Sequence, residues 1–316
     1  YHACAMSSSA LASAPGSLML FGEHAVLRGY PAIVAAVSAR VRVAAAPRKD
    51  GRLRIRSGLG ELDVPLHDAP PPPPAFRFAQ AAAVEGAGRR LDGLDIEIES
   101  DALSTVGLGT SAAVTVAVLA AVQTLAGREP DPVALLAAGR RIVRATQGGV
   151  GSGADVAASV FGGALFYRMD MDAPEGLPLL PPMLAVYSGH KTPTAEVIRR
   201  VAAASAADPS RYGAIFERIG ETTLRAAASF RRGDSDAVGG FANAAHEHLV
   251  ALGVCDDDLA AIVAALRGTP GVRGAKISGS GLGDCAIGFG NAGAYQGPGA
   301  PLAVALASEG ARWMLS

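Results

Sequence analysis

The sequence predicts an α+β fold that is divided into two domains. At 316 residues, the chain is about twice as long as a typical single domain. Half of the residues are hydrophobic and 18% are charged, which provides for a sizeable core and argues against a disordered chain. Strand patterns and helix patterns follow one another without regular βαβ alternation, and this order is typical of α+β proteins.

The amino-terminal half begins with strand patterns. Residues 38–46 (SARVRVAAA) and 52–57 (RLRIRS) alternate apolar and polar side chains, as half-buried strands do. Residues 68–76 (DAPPPPPAF) predict an exposed polyproline loop, because proline disrupts the interior of a helix or a central strand. Residues 94–100 (LDIEIES) predict another strand, which leads into a glycine-rich segment.

Helix patterns follow that segment. Residues 111–125 are apolar on every side and predict a buried helix. Asp131 and Pro132 predict the start of the next helix, with the aspartate as N-cap and the proline in the first position; this helix extends to about Gln147. After a strand at 161–169, a proline-rich stretch predicts the junction between domains of residues 6–170 and 171–316.

The carboxy-terminal half is predicted to be mostly helical. A strand is expected at 183–189, and helix patterns then occupy residues 194–267, with breaks near 232–235 and 253–256. Two further strands, at 274–278 and 284–289, flank a glycine-rich turn.

Charge, hydropathy and cysteine usage restrict the class of protein. The net charge of −1 gives no electrostatic reason to expect a nucleic-acid partner or an anionic membrane. The longest apolar stretch, residues 112–126, is shorter than the ~20 residues that cross a bilayer, and no secretion signal is evident. The three cysteines lie far apart and fit neither a disulfide framework nor a zinc site, so we expect a cytoplasmic protein.

Residues 107–113 (GLGTSAA) predict a phosphate-binding turn. Backbone N–H groups of a glycine-rich turn can surround an anion, and the following helix adds the positive end of its dipole. The hydroxyls of Thr110 and Ser111 can donate to phosphate or bind Mg²⁺. The same residues also satisfy the relaxed GxGxxA dinucleotide fingerprint, or form a tight turn without any ligand. A P-loop is excluded because the chain contains no glycine-lysine pair.

Two more glycine-rich segments favour a ligand over a simple turn. Residues 147–158 (QGGVGSGADVAA) place Asp155 between a glycine-rich segment and an apolar helix, and this aspartate is either an N-cap or a catalytic carboxylate. Residues 276–289 (KISGSGLGDCAIGF) place three glycines between two strands. Three such segments in one chain are difficult to explain by turns alone.

Five segments together resemble the GHMP-type small-molecule kinases, in the branch of mevalonate kinase and phosphomevalonate kinase. The resemblance spans nearly the whole chain. The segments are APGSLMLFGEHAVLRGYPAIVAAV (14–37), GLGTSAA (107–113), GVGSGADVAASVFGG (149–163), YSGHKTPTAEVI (187–198) and GAKISGSGLGDCAIGF (274–289). This resemblance implies a GHMP kinase fold, with a ribosomal-S5-like amino-terminal domain, a ferredoxin-like carboxy-terminal domain and an active site between them.

The resemblance also implies a role for each matching residue. Asp155 and Lys191 would be the catalytic residues, and Ser111 would bind the Mg²⁺ that accompanies ATP. The ATP phosphates would be held by Gly107, Leu108, Gly109, Thr110, Ser111 and Ala112. The acceptor and phosphate side of the site would be formed by Glu23, His24, Thr194, Gly279, Ser280 and Gly281.

Two positions depart from the family pattern. Ser17 stands where the first motif of mevalonate kinases has a lysine, and Val143 or Arg144 stands where the family often has a glutamate ligand for Mg²⁺. Either fewer protein groups hold the metal, or Arg144 neutralises part of the phosphate charge instead. These losses leave a binding protein without catalysis as an alternative, and the GxGxxA match leaves a dinucleotide-dependent oxidoreductase as another.

The motifs divide between two acceptors. GEHAVL and RGYPA resemble mevalonate kinase and lead us to favour mevalonate, whereas TQGGVGSGADVA and GLGDC are more similar to phosphomevalonate kinase. A phosphate acceptor would need cationic side chains around it, and the candidates are Arg28, Arg144, Lys191 and Lys276. The expected partner is therefore one of these small molecules, and the chain itself is a candidate homodimer.

Overall fold

The computed structural model describes residues 9–101, 107–178 and 182–316. These residues form twelve strands and eight α-helices, together with a 3₁₀ turn at Ala25–Arg28. The strands are β1 (Ala10–Phe21), β2 (Ala32–Arg48), β3 (Arg52–Ser57), β4 (Gly60–Pro65), β5 (Gly93–Ser100), β6 (Ala164–Tyr167), β7 (Glu175–Leu177), β8 (Met183–Lys191), β9 (Val272–Ser278), β10 (Gly283–Gly290), β11 (Ala300–Leu302) and β12 (Arg312–Leu315). The helices are α1 (Arg77–Ala87), α2 (Thr110–Leu125), α3 (Pro132–Thr146), α4 (Ala154–Phe161), α5 (Thr194–Ala207), α6 (Pro209–Arg232), α7 (Ser235–Leu252) and α8 (Asp257–Arg267).

Eight strands form the first sheet. Its main order is β12-β1-β2-β5-β3-β4, and β6 pairs with the early part of β2 and with β7. Within the described residues the pairs are antiparallel except for β3 and β5, which run parallel and are connected through β4 and α1. Helix α2 packs against β1 and β2 on one side and against α1, α3 and α4 on the other. Because both sides are covered, this helix is apolar all round.

Four strands form the second sheet, in the antiparallel order β11-β8-β10-β9. Helices α7 and α8 pack against β9 and β10, and α6 packs against α7. The mixture of two such sheets with separate groups of helices confirms the predicted α+β class. No helix among the described residues is both long and apolar enough to cross a membrane.

A shared apolar cluster joins the two sheets. Phe21 of β1 stacks on Phe289 of β10 with 5.7 Å between ring centroids, and it meets Phe230 of α6 edge-on at 6.3 Å. Ile33 of β2 and Ile287 of β10 belong to the same cluster and are wholly buried. Burial of this apolar surface holds the two halves together.

Most predicted elements are confirmed, and the differences have local causes. Strand β3 has the predicted bounds, and the Asp131 side chain accepts a hydrogen bond from the Ala134 N–H at 2.8 Å, as an N-cap does. The helical region has a third break at Asp208, which caps α6. The pair Asp208-Pro209 repeats the Asp131-Pro132 signal, so the sequence contained the information that our prediction did not use.

The domain boundary at residue 170 stays a prediction. Strand β7 follows that position and still belongs to the first sheet, and the last strand, β12, returns to pair with β1. Sheet membership therefore does not change at a single point along the chain.

Candidate active site

A cavity of about 170 Å³ is lined by residues from both halves of the chain. All three glycine-rich segments reach it: the start of α2, the turn before α4, and the turn between β9 and β10. The site thus depends on the packing of the two sheets against each other.

The first glycine-rich turn ends at Gly109, which precedes α2. Gly109 has a φ of 63°, a left-handed conformation that glycine adopts without strain. A Cβ at this position would overlap the Ser17 hydroxyl group. The Ser17 N–H donates to the Leu108 carbonyl at 2.9 Å, which fixes the turn to β1. The Ala112 N–H already donates to the Gly109 carbonyl at 3.0 Å. The N–H groups of the two residues before it, at the start of α2, can bind an anion.

The second glycine-rich turn places Asp155 in the first turn of α4. The Ser17 hydroxyl donates to Asp155 Oδ1 at 2.8 Å. The Ser159 hydroxyl, on the same helix, donates to the Pro15 carbonyl at 2.8 Å and so fixes α4 to β1. Asp155 is therefore held beside the phosphate turn, with its other carboxylate oxygen available as a proton acceptor.

The environment of Asp155 raises the pKa of its carboxyl group. The main cause is desolvation by the walls of the cavity, although the side chain remains open to the cavity itself. The hydrogen bond from Ser17 and the charge of Lys191 lower this pKa, and the nearby negative charge of Asp284 raises it. A carboxylate with a raised pKa is a better general base than a carboxylate with the ordinary pKa.

The third glycine-rich turn brings Asp284 into the cavity wall. Asp284 is 6% exposed and has a φ of 75°, which is uncommon for a residue other than glycine. Its Oδ2 lies 2.9 Å from the Lys191 ammonium group, at the end of β8. A Cβ at position 107 would overlap the Asp284 carboxylate, so Gly107 allows the two turns to approach closely.

A buried ion pair lies behind the third turn. Glu23 binds the Lys276 ammonium group, and both side chains are almost completely buried. Burial raises the pKa of Glu23 and lowers the pKa of Lys276, and in each case the attraction of the partner acts in the opposite direction. This pair connects the segment after β1 with β9.

His24 also contacts the third turn. Its Nε2 lies 2.9 Å from the Ser280 carbonyl oxygen. Because a carbonyl only accepts hydrogen bonds, this nitrogen must carry the proton. Burial lowers the pKa of His24, so its ring is neutral and adds no charge to the cavity.

The structure brings most of the predicted site residues to one cavity. Two of them lie behind its wall: Leu108 is 3% exposed in the cluster between the sheets, and Gly281 packs against the Val254 carbonyl. The predicted residues that line the cavity are Asp155, Lys191, Gly107, Gly109, Thr110, Ser111, Ala112, Glu23, His24, Thr194, Gly279 and Ser280.

Among the four candidate cations, Lys191 alone lines the cavity. Arg28 lies over the Phe216 ring at 5.0 Å, and Lys276 is paired with Glu23. Arg144 is exposed and its side chain donates to the Gly149 carbonyl at 3.3 Å, whereas its neighbour Val143 lines the cavity. Arg144 is not among the described residues of the lining, so the expectation that it neutralises phosphate charge stays a prediction.

Sequence reasoning missed two residues of the site, Ser17 and Asp284. The sequence indicates only that Ser17 replaces a lysine, yet this serine contacts both the phosphate turn and Asp155. Asp284 belongs to the GLGDC segment, in which only the glycines were assigned a role. The signal that could have identified Asp284 is its position directly after a segment with three glycines (GSGLG, 279–283), all of which have a positive φ.

Family profiles match both halves of the chain. The profile for the GHMP kinases N terminal domain matches residues 75–163, and the profile for the GHMP kinases C terminal domain matches residues 226–296. A galactokinase galactose-binding signature matches residues 3–47.

Individual relatives match most of the chain. The mevalonate kinase of Archaeoglobus fulgidus is 33% identical, over 88% of this chain and 92% of the relative. The mevalonate kinase of Pyrococcus horikoshii is 32% identical, over 87% of each chain. The solved mevalonate kinase of Methanococcus jannaschii has the same fold, with a TM-score of 0.75 at 23% identity over 88% of this chain and 89% of that one. The chain therefore belongs to the GHMP kinases, a family of ATP-dependent small-molecule kinases, and within them to the mevalonate kinase branch.

Proposed function

We propose that this kinase transfers the γ-phosphoryl group of ATP to a hydroxyl group of mevalonate. The observation that carries the proposal is the convergence of a glycine-rich helix start, a carboxylate and a lysine on one cavity. The mevalonate kinases that resemble this chain over most of their length support the choice of acceptor.

The triphosphate is expected at the start of α2. The turn that ends at Gly109 offers backbone N–H groups, and the helix dipole favours negative charge there. Thr110 Oγ1 is buried and has no hydrogen-bond partner within the described part of the chain, so a phosphate oxygen would satisfy it.

The same region fits a Mg²⁺ ion. Hydroxyl oxygens are ligands that this hard cation accepts, and Thr110 and Ser111, which each carry one, line the cavity. We assign Ser111 as the protein ligand. A bound Mg²⁺ would neutralise phosphate charge that one lysine cannot balance.

Asp155 is positioned to act as the general base. The acceptor oxygen forms a bond to the γ-phosphorus of ATP while the bond from that phosphorus to the bridging oxygen breaks, and ADP leaves with the electron pair. The proton of the acceptor hydroxyl passes to the carboxylate oxygen of Asp155 that Ser17 does not occupy. Lys191 stabilises the negative charge that the transferred group carries.

The charges around the cavity favour an alcohol acceptor over a phosphorylated one. An acceptor phosphate needs several cationic groups, and Lys191 is the single lysine or arginine among the described residues of the lining. That lysine is already paired with Asp284. Phosphomevalonate is therefore the weaker candidate.

Galactose is a second candidate acceptor. The specific observation in its favour is the galactose-binding signature at residues 3–47, which includes Glu23 and His24. Both side chains line the cavity, and galactose is also an uncharged alcohol at this site.

The test is an ADP-release assay with MgATP and each of the three acceptors at equal concentration, with the product identified by ³¹P NMR. We expect mevalonate to support turnover at least about 10-fold faster than phosphomevalonate or galactose. Faster turnover of phosphomevalonate or galactose would mean that this compound, and not mevalonate, is the acceptor. ATP binding without ADP formation would identify a binding protein.

A substitution of the base tests the mechanism. Asp155→Asn is expected to lower kcat by roughly 10²–10⁴-fold, because asparagine cannot accept the proton, while ATP still binds in a fluorescence titration. Asp131→Asn is the matched control, since Asp131 lies outside the cavity lining and asparagine preserves its N-cap. Unchanged turnover in Asp155→Asn would refute the role of this carboxylate.

The remaining predictions concern the state of the protein. A homodimer is tested by light scattering coupled to size exclusion, and a cytoplasmic location by cell fractionation. Neither prediction affects the assignment of the catalytic residues.

A further inference from the structure

Asp284 combines three features that together require an explanation. Its carboxylate is buried, its Oδ1 has no hydrogen-bond partner in the described part of the chain, and its backbone has a positive φ. Each of these features costs free energy. Glycine would meet the backbone requirement at a lower cost, so the carboxylate itself must have a function that offsets this cost.

The contacts of Asp284 indicate that function. One side of its carboxylate binds the Lys191 ammonium group at 2.9 Å, and the other side packs against Gly107 of the phosphate turn. Lys191 in turn acts electrostatically on Asp155. Asp284 therefore contacts the phosphate turn directly, and it binds the lysine whose charge acts on the catalytic base.

We propose that Asp284 is a positioning residue, which holds the Lys191 ammonium group at the cavity wall beside Asp155 and the phosphate turn. This inference rests on the proposed kinase reaction, in which Lys191 stabilises the transferred group. Asp284 does not contact the reacting atoms itself; its proposed role is to hold the lysine, besides the direct effect of its charge on the pKa of Asp155.

Lys191 needs such a partner because of where it lies. It is the last residue of β8, and its side chain is 34% exposed. A lysine side chain has four rotatable carbon–carbon bonds and a strongly hydrated ammonium group, so without an anchor it would extend into water. Asp284 is the one ion-pair partner that the described residues offer to Lys191.

A double-mutant cycle on kcat is the first test. Asp284→Asn is expected to lower kcat by about 10-fold or more in the wild-type background, because the transition state loses a positioned charge. In the Lys191→Gln background the same substitution is expected to change kcat by less than about 2-fold, since the group that it positions is gone. All variants are assayed above their acid limbs, where the direct effect of Asp284 on the pKa of Asp155 no longer changes the rate. If Asp284→Asn lowers kcat by the same factor in both backgrounds, the proposal is overturned.

Asp256→Asn is the matched control. Asp256 binds His190, the neighbour of Lys191, at 3.2 Å, and it caps α8, which asparagine can also do. Since Asp256 lies outside the cavity lining, its substitution should leave kcat within about 2-fold of the wild type. A loss equal to that of Asp284→Asn would show a general charge effect and would contradict positioning.

The second test observes the lysine directly. The chain has three lysines, Lys49, Lys191 and Lys276, and the last is wholly buried, so reductive ¹³C-methylation labels the first two together with the terminal amine. Lys191→Arg assigns its signal. In Asp284→Asn, the Lys191 signal should narrow and move toward the signal of the exposed Lys49. An unchanged signal would contradict the proposed anchor.

The two tests separate this inference from the proposed function. If the wild-type chain forms no ADP with any acceptor, the proposed function fails, and the methyl signal of Lys191 still tests its contact with Asp284. If the wild type is active and the double-mutant cycle shows no coupling, the positioning role alone fails.

Discussion

Ser17 connects the catalytic base to the phosphate turn. Its hydroxyl donates to Asp155 and its N–H donates to the Leu108 carbonyl. Gly109 lacks a Cβ at the point where this hydroxyl lies. A longer side chain at position 17 would need a different arrangement of the turn, so the serine is matched to this site and is more than an absent lysine.

Ser17→Ala is expected to move the acid limb of the kcat/KM profile to higher pH. Activity falls as the pH decreases through the pKa of Asp155, because a protonated carboxyl cannot accept the acceptor's proton. The hydrogen bond from Ser17 lowers that pKa. Its removal therefore raises the pKa of Asp155, and the acid limb moves to higher pH. The profile is measured from about pH 5 to pH 9.

Ser13→Ala is the control for this prediction. Ser13 lies on the same strand, and its hydroxyl contacts Arg40, away from the cavity. Its substitution should leave the acid limb in place. A limb that stays fixed in Ser17→Ala, or moves to lower pH, would contradict the assigned hydrogen bond.

The sequence predicted the residues whose types follow from local chemistry. Gly109 and Asp155 lie in local patterns, which are glycines before an apolar helix and an aspartate after a glycine-rich turn. The family resemblance chose between the alternative explanations of these patterns, and both residues line the cavity. Asp284 was missed because its function depends on Lys191 and Gly107, which are distant along the chain. The surrounding glycines marked its position, but a contact between distant residues leaves no pattern in a single sequence from which the function could be inferred.

At the level of elements, α2 was predicted well because two independent signals agree. Its apolar run requires burial on all sides, and its glycine start requires a left-handed turn. Strand β12 was missed because four residues are too few to establish an alternating pattern. Its position is decided by pairing with β1, at the opposite end of the chain.

Gly109→Ala is expected to raise the KM for ATP by about 10-fold or more. The substitution places a methyl group against Ser17 and forces a left-handed conformation on alanine, so the turn must move away from the phosphates. Gly127→Ala is the matched control: Gly127 has a φ of 69° just beyond the other end of α2, and its added Cβ would meet open space.

The two variants share the backbone strain and differ in the contact with Ser17. The strain should lower the free energy of unfolding of both by about 1–2 kcal/mol. Gly109→Ala should lose more, because its Cβ also overlaps Ser17. Only Gly109→Ala should weaken ATP binding in steady-state kinetics. Equal KM values for ATP in the two variants would contradict the location of the phosphate turn.

For the molecule as a whole, the sequence predicted the α+β class. The division at residue 170 stays a prediction, and the way in which the two sheets join was not predicted. The apolar cluster around Phe21 forms only when β1, α6 and β10 meet, and the return of β12 to the first sheet is a long-range event. Neither follows from local periodicity. The cavity shares this dependence, because its lining comes from both halves.

The pair of Glu23 and Lys276 offers a test of how strongly the halves are joined. Lys276→Met is expected to lower the free energy of unfolding by about 3–5 kcal/mol, because it leaves a buried carboxylate without its partner. The double variant Glu23→Gln/Lys276→Met should recover much of this loss, since no buried charge remains.

Arg231→Met is the control, because its pair with Glu175 is exposed and should contribute less than about 1 kcal/mol. Urea unfolding measures all three, and a similar small loss in both single variants would mean that the buried pair does not stabilise the contact between the halves.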